Sequence, residues 1–392
     1  MRIIGDTHFK FLSYRRIALG LSAIVIIAGL AYEFLGPGLN LGIDFVGGTQ
    51  VTLKFREEPD LGALRSDISD ITAGTPLIQT FDEAEKHEIL IRVENPEGQE
   101  GDFTRPIIDL LNQDLNSNLE GRFDLNLKGS RELIDLLAAA DPDGVGNDVE
   151  TRTLYYEPMA DAVLGHRKEF GIFYSIDELG EVEDLSVGLR DYLEDSAAVG
   201  AFSILGAESV GPAVGADLQK KALLAIGFSL VGMLVYIWIR FQLPYAVGAV
   251  VALFHDVLIT LTALAVTHRE INLPTVAALL TLVGYSVNDT VVVFDRMREN
   301  LRLHRGEDLE QLMNLSINQT LSRTFITSGT TLIVVLSLYI FGGDVINTFA
   351  FVLLIGIIIG TYSSIFIASP AALAMNKLLT ARRERRRLKG KR

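Results

Sequence analysis

The sequence predicts a polytopic α-helical membrane protein with six transmembrane helices and an α+β polar domain that carries a mainly helical insertion. Three observations predict this. Of 392 residues, 49% are hydrophobic and only 21% charged, which is too apolar for a soluble enzyme of this length. The net charge of −14 is nevertheless too large for a chain buried wholly in lipid. The conflict resolves by position. Residues 41–220 hold 37 acidic and 14 basic side chains, a net of −23, and the remainder carries +9. A single soluble domain and a lone membrane anchor are both excluded. The acidic domain would repel phosphates, so nucleic acid is not an expected partner. With no cysteine, disulfide frameworks, zinc thiolates and thiol catalysis are ruled out.

Each span rests on the length a bilayer demands, about 20 mostly apolar residues. After a basic N-terminus (1–16), Ile17–Leu35 meets it, with Glu33 near its far end. Tyr32, Glu33 and Phe34 occupy the place where a cleavage site would lie, so the segment reads as an uncleaved signal-anchor. The polar domain occupies 36–221. Ala222–Ile239, Phe241–Thr267 and Ile271–Phe294 follow, then a loop at 295–323, then Thr324–Gly343 and Val345–Asn376. The last stretch exceeds what one straight span requires. Asp295–Leu321 has balanced charge and leucines at helical spacing, which predicts an amphipathic helix along the membrane surface.

Orientation follows from Lys and Arg in short loops. Arg2, Lys10, Arg15 and Arg16 precede the first span, and Arg240 marks the turn between the second and third. Arg296, Arg298, Arg302 and Arg305 follow the fourth, and the tail at 377–392 has nine basic residues and one Glu. Six spans put all of these on one side. That side is expected to be cytoplasmic, with both termini on it and the acidic domain outside. Gly356 and Gly360 form a GxxxG, which favours close helix contact, and Gly284 and Gly329 invite the same reading.

In the polar domain, Gln50–Arg56 alternates and is rich in Val, Thr and Phe, as a strand does. Leu61–Ile71 has helical spacing, Leu77–Phe81 and Glu88–Val93 form a hairpin pattern, Arg105–Asn116 is helical, and Ala201–Ala207 is a last strand. This is the βαββαβ order of a ferredoxin-like sheet. An insertion at about 95–195 interrupts it. Within that insertion, Ala160–Leu185 resembles a helix-hairpin-helix, and a helical module of a minor pseudopilin is a further resemblance. A docking surface is one reading; a small helical insertion packed on the sheet is the preferred one. Asp141–Asp148, "DPDGVGND", carries carboxylates at alternate positions, but a calcium loop needs a glutamate where Arg152 stands. A plain turn is expected.

Charges at bilayer depth cost several kcal/mol (about 2.5–3.5 on insertion scales) unless paired or hydrated, and mark function by default. Asp289 lies six residues before Asp295, roughly 9 Å along the helix. Tyr285 and Ser286 share its face. Arg323 enters the fifth span from the same side and is placed to reach Asp289; on charge alone it serves equally as a positive-inside anchor. Asp256 suits a polar seam in the third span. His255 points about 100° away and reads as a satisfied buried imidazole. A carboxylate facing an arginine in a membrane is a plausible proton switch, because the balance of attraction and desolvation shifts with hydration.

Four motifs then converge: "LGIDFVGGT" (Leu41–Thr49), "ESVGPAVGADLQKKAL" (Glu208–Leu223), "ALFHDVLIT" (Ala252–Thr260) and "GYSVNDTVVVFDRMREN" (Gly284–Asn300). In this order, with six spans, they resemble the SecF family, the smaller membrane subunits of the SecDF complex of bacterial protein export, within the resistance-nodulation-division superfamily. The resemblance covers the first 55 residues or so and nearly everything from about 200 onward. It rests on Gly42, Asp44, Gly47, Gly48, Gly211, Pro212 and Asn288 among the motif residues. It implies a non-enzymatic subunit of the inner membrane that pairs with SecD and assists the SecYEG channel. The driving force would be the proton motive force, and exported preproteins the cargo. YajC and YidC are implied as further partners, and no cofactor is. It also implies that Asp289 and Arg323 belong to the proton path, with Asp256 at the family's "HDV" position. The remaining carboxylate of that path would sit in SecD. An outer domain of about 180 residues departs from the family pattern, in which it is roughly half as long. The rival readings are a small-molecule exporter of the same superfamily and a scaffold with no proton work. Exporters of that kind usually carry twelve spans and two large outer loops in one chain.

Overall fold

A computed structural model describes residues 7–389 except 37, 73–75, 82–85, 95–100, 120, 147 and 305. Arg2, Arg305 and the last three residues of the basic tail therefore lie outside the described residues. The chain divides into a membrane unit (1–44 and 217–392) and a polar unit (45–216).

In chain order the elements are α1 (Arg15–Leu35), the single turn α2 (Ile43–Val46), β1 (Gly48–Phe55), α3 (Leu61–Ile71), β2 (Leu77–Phe81), β3 (Glu88–Val93) and α4 (Thr104–Leu115). There follow β4 (Phe123–Asp124), α5 (Ser130–Ala140), α6 (Val149–Phe170), α7 (Val187–Ser196), β5 (Ala197–Ala198) and β6 (Phe202–Val210). The chain ends with α8 (Pro212–Arg240), α9 (Leu243–Val266), α10 (Leu273–Leu303), α11 (Leu309–Phe341), α12 (Gly343–Ser363) and α13 (Ser369–Lys389).

The polar unit contains the expected sheet, antiparallel throughout in the order β2-β3-β1-β6. Alternation in β1 buries Val51, Leu53 and Phe55 against Leu64 and Ile68 of α3 and Ile107 and Leu111 of α4. Asp60 caps α3 by accepting from the amides of Gly62 and Ala63, which satisfies donors that a helix start leaves free. Because α4 closes this core, the inserted segment begins after α4 rather than near residue 95.

The insertion has its own core, formed by Leu133, Leu137, Tyr156, Ala160, Val163, Phe173, Leu189 and Leu193 among others. A buried polar splice joins it to the sheet frame. Asp124 accepts from the amides of Asn126 and Gly200 at 2.8 and 3.0 Å and from Asn116 Nδ2 at 3.2 Å. Asn126 Nδ2 donates to the carbonyls of Phe173 and Gly200, and Asn116 Oδ1 accepts from Ala201 N. Burial pushes Asp124 above the usual carboxylate range, opposed by those amides. Lys54 Nζ donates to Phe170 O, so the end of α6 meets the sheet face opposite the α3–α4 core. Ala160–Leu185 is not a helix-hairpin-helix. It is the end of α6, a left-handed Gly171 and one 3-10 turn, Ile176–Gly180. Asp141–Asp148 is a turn: Asp141 accepts from Val145 N, and Asp148 caps α6 through Thr151 N.

Among the described residues, the membrane unit holds six helices long and apolar enough to cross a bilayer. The α9, α10 and α12 helices form its centre, whereas α1 and α8 expose most of their apolar surface, as lipid-facing helices do. Gly356 lets α12 close on α10, because a Cβ there would overlap Leu282; a Cβ on Gly360 would meet Ser286 at 3.2 Å. Gly284 and Gly329 have nothing within 4 Å, so neither makes the close contact the sequence suggested. The long last span bends through a π-helical turn, Ser364–Ala368. The described residues of 295–321 do not form one separate helix. They extend α10 and begin α11 as a hairpin, in which Leu312, Met313 and Ile317 are buried and Asn300 Nδ2 donates to Ser316 Oγ and Gln319 Oε1. The leucines do repeat at helical spacing, but the apolar face they form meets a second helix instead of lipid.

The basic segments gather at one end of this unit. Arg15 pairs with Glu310 at 2.6 Å, Lys377 lies 3.7 Å from the same carboxylate, and Arg298 donates to the Arg240 carbonyl.

Candidate functional site

The intramembrane carboxylates sit in two separate hydroxyl clusters. Asp256, on α9, is fully buried. Its Oδ2 accepts from Ser286 Oγ of α10 at 2.5 Å and from Ser363 Oγ of α12 at 2.8 Å. Its Oδ1 lies 2.9 Å from His255 Nδ1. The other imidazole nitrogen reaches Ser22 Oγ of α1 at 3.0 Å. Ser22 Oγ lies 3.2 Å from the Tyr362 hydroxyl, which donates to the Ala18 carbonyl at 3.0 Å. This chain of contacts ties α1, α9, α10 and α12 together.

Asp289, on α10, is 2% exposed. It has one close donor, Ser328 Oγ of α11 at 2.9 Å; Thr361 Oγ1 of α12 stands at 3.5 Å and lies 2.9 Å from Ser328 Oγ. An ionised carboxylate offers about four acceptor positions. Asp256 fills three, and Asp289 fills one well. No cation lies within ion-pair distance of Asp289 among the described residues.

Arg323 is exposed on α11, five residues before Ser328, and makes no ion pair with Asp289. The sequence placed it on the correct facing helix, but a hydroxyl occupies the contact position. The polar face of Tyr285, Ser286 and Asp289 also divides: Ser286 turns to Asp256, Tyr285 donates to Thr327 O, and Asp289 turns to α11. Asn288 is exposed, in line with exposed Thr281 and Gly284 on the outer face of α10.

The other motif residues set the chain's path. Gly42 N donates to Ile271 O, and a Cβ on Gly42 would overlap Glu270. Asp44 Oδ2 accepts from Leu273 N at 2.8 Å, at the start of α10. Gly47 has φ +79° and lies against Pro212; Gly48 has φ +138° and lies against Val93 O. Only glycine adopts such angles readily. The carbonyl of Gly211 accepts from Gly215 N as α8 begins at Pro212.

Sequence reasoning missed the partners: Ser22, Ser328, Thr361, Tyr362 and Ser363, and the joining of His255 to Asp256. Hydroxyl residues in apolar spans carry no signal of their own, because each is also content bonding the carbonyl one turn back.

Comparison with known proteins bears on this arrangement. The signature described as "Protein export membrane protein SecD/SecF, C-terminal" matches residues 191–378, and "SecD/SecF GG Motif" matches 34–58. Protein translocase subunit SecF of Koribacter versatilis is 41% identical over 382 residues, covering 95% of this chain and 93% of that protein. Its counterpart from Calditerrivibrio nitroreducens is 38% identical over 369 residues, covering 94% of each. The chain belongs to the SecF family. The crystal structure of SecDF, a translocon-associated membrane protein from Thermus thermophilus, aligns with a TM-score of 0.64 and 28% identity. That alignment covers 95% of this chain and 39% of the SecDF chain, so this chain spans about two fifths of it. The SecF relatives are named as translocase subunits, which is a transport role, and the six apolar helices make this a multi-pass membrane protein. The C-terminal match includes Asp256, Asp289 and Arg323, and the GG-motif match includes Gly42, Asp44, Gly47 and Gly48.

Proposed function

We propose that this chain is the SecF subunit of a SecDF complex in a bacterial inner membrane, using the proton motive force to assist preprotein movement through SecYEG. Both termini and the basic end of the bundle face the cytoplasm, by the positive-inside bias. With the N-terminus cytoplasmic, residues 45–216, which follow the first span, are extracytoplasmic. YajC and YidC are candidate accessory partners.

One observation carries the proton assignment: Asp289 is a buried carboxylate with a single close donor and no paired cation among the described residues. Protonation removes a charge that its surroundings solvate poorly, so its proton occupancy is coupled to how the helices around it are hydrated. Ser328 and Thr361 connect it to α11 and α12, so a change of charge at Asp289 is felt by both. Arg323 lies on the exposed side of α11, where it supplies positive potential near the path and is open to a partner subunit. Asp256, held by three donors, serves as the fixed counterpart of the same polar interior. The exposed row Thr281, Gly284 and Asn288 is where SecD would pack. A scaffold without proton work is the rival reading; it predicts that neutralising Asp289 weakens the assembly instead of uncoupling it.

The test is co-purification of the tagged chain in mild detergent, with partners identified by mass. Recovery of SecD supports the reading. A homo-oligomer without SecD would contradict it and favour a self-contained transporter.

A further inference from the structure

A cavity of about 270 Å³ opens at the basic end of the membrane unit, where α8 turns into α9 beside the end of α10. Its lining brings together Arg240, Arg298 and Arg302 with Gln242 and Tyr245. Arg298 and Arg302 make no ion pair among the described residues; Arg298 donates to the Arg240 carbonyl, and Asp295 stands 4.0 Å from Arg240. The α9 helix starts here at Leu243 with no side chain capping it, so its positive end adds to the field. Tyr245 is 4% exposed, and its buried hydroxyl has no hydrogen-bond partner. Its ring is fixed against Phe294 at 5.1 Å between centroids. Ile239, 80% exposed, and Leu301 supply an apolar wall.

Asp295 offsets one of the three guanidinium charges, so the lining keeps a net positive charge that a bound anion would neutralise. Guanidinium forks match phosphate oxygens in pairs. A water takes about 30 Å³ of liquid volume, so the cavity holds far more than one. The apolar wall joins Ile239 of the lipid-facing α8 to Leu301 of α10, a surface along which an acyl chain would run. Basic pockets between transmembrane helices suit anionic headgroups. We propose that this cavity binds a phosphoryl group, and that the group is the headgroup phosphate of an anionic phospholipid. A free phosphate shares the oxygen chemistry but makes no use of Ile239 and Leu301.

Trp238 is the single tryptophan and precedes Ile239 directly, so it reports on lipid at this site. The full chain is reconstituted in phosphatidylcholine vesicles, with either phosphatidylglycerol or phosphatidylcholine brominated on its acyl chains. Brominated phosphatidylglycerol should quench Trp238 at a several-fold lower mole fraction than brominated phosphatidylcholine. Arg298→Gln with Arg302→Gln should abolish that preference, and Tyr245→Phe should reduce it. Arg16→Gln with Arg382→Gln removes equal charge from the same end but not from the cavity, and should leave the preference intact. Inorganic phosphate added to the vesicles should not relieve the quenching. Equal quenching by the two lipids, or equal loss of preference in the two double variants, would overturn the site. Relief by inorganic phosphate would overturn its assignment to lipid.

Discussion

His255 Nδ1 lies 2.9 Å from Asp256 Oδ1, a contact between consecutive residues of α9 inside the membrane unit. Neighbours on a helix diverge by about 100°, but the imidazole is long enough to swing back to the carboxylate. The pair thereby faces Ser22 on one side and Ser286 and Ser363 on the other.

Asp256→Ala should be the most destabilising substitution among the intramembrane carboxylates. It removes the acceptor of Ser286 and the carboxylate contact of His255 and Ser363, and breaking a buried pair costs about 3–5 kcal/mol. Asp289→Ala loses one close bond and should cost clearly less. Thermal unfolding of the purified chain in one detergent gives the order. Equal midpoints for the two variants would contradict the difference in donors.

Gly356→Val should force α12 away from α10, because a Cβ there overlaps Leu282; overpacking of this kind costs about 1–3 kcal/mol. Gly284→Ala has open space and should leave the chain's own melting unchanged. If Gly284 packs on SecD, its effect appears in recovery of the complex alone. A lower melting point for Gly284→Ala would contradict the open face described for α10.

Asp124→Ala should detach the insertion from the sheet frame, at a cost of at least about 2 kcal/mol for unsatisfied buried donors. The pH dependence has a definite sign. Burial raises Asp124, so the folded chain holds that proton more tightly than the unfolded one. Its contribution to stability is fully present below the unfolded value and is lost as pH rises through the folded value. Wild type should therefore gain on Asp124→Asn as pH falls through the raised folded value toward the ordinary carboxylate range, read as the difference between their unfolding midpoints. A difference moving the other way would show that the amides, and not burial, dominate at this carboxylate.

Local pattern was enough to read the sheet. Leu61–Ile71, Leu77–Phe81 and Glu88–Val93 fall where alternation and helical spacing put them, because each element has one apolar face and one core to bury it in. The insertion was less legible. Tyr156, Phe173 and Leu189 form a core of their own, and nothing in the local sequence says which helices share it. Residues 295–321 misled for a related reason: an amphipathic face looks the same whether it meets lipid or another helix. At the site, the carboxylates were legible because charge is rare in apolar spans. Their partners were not, since contacts such as Asp289–Ser328 and Asp256–Ser363 join residues far apart in sequence.

Asp289→Asn separates proton exchange at Asp289 from its role in packing. The variant is nearly the same size and keeps an acceptor for Ser328, but it cannot exchange a proton as a carboxylate does. Proton-gradient-dependent completion of preprotein translocation would be measured in inverted membrane vesicles, with SecD recovery followed in the same preparations. A proton-exchanging Asp289 requires that the variant lose the gradient-dependent part with SecD still bound. Translocation that responds normally to the gradient, or loss of SecD together with activity, would contradict it.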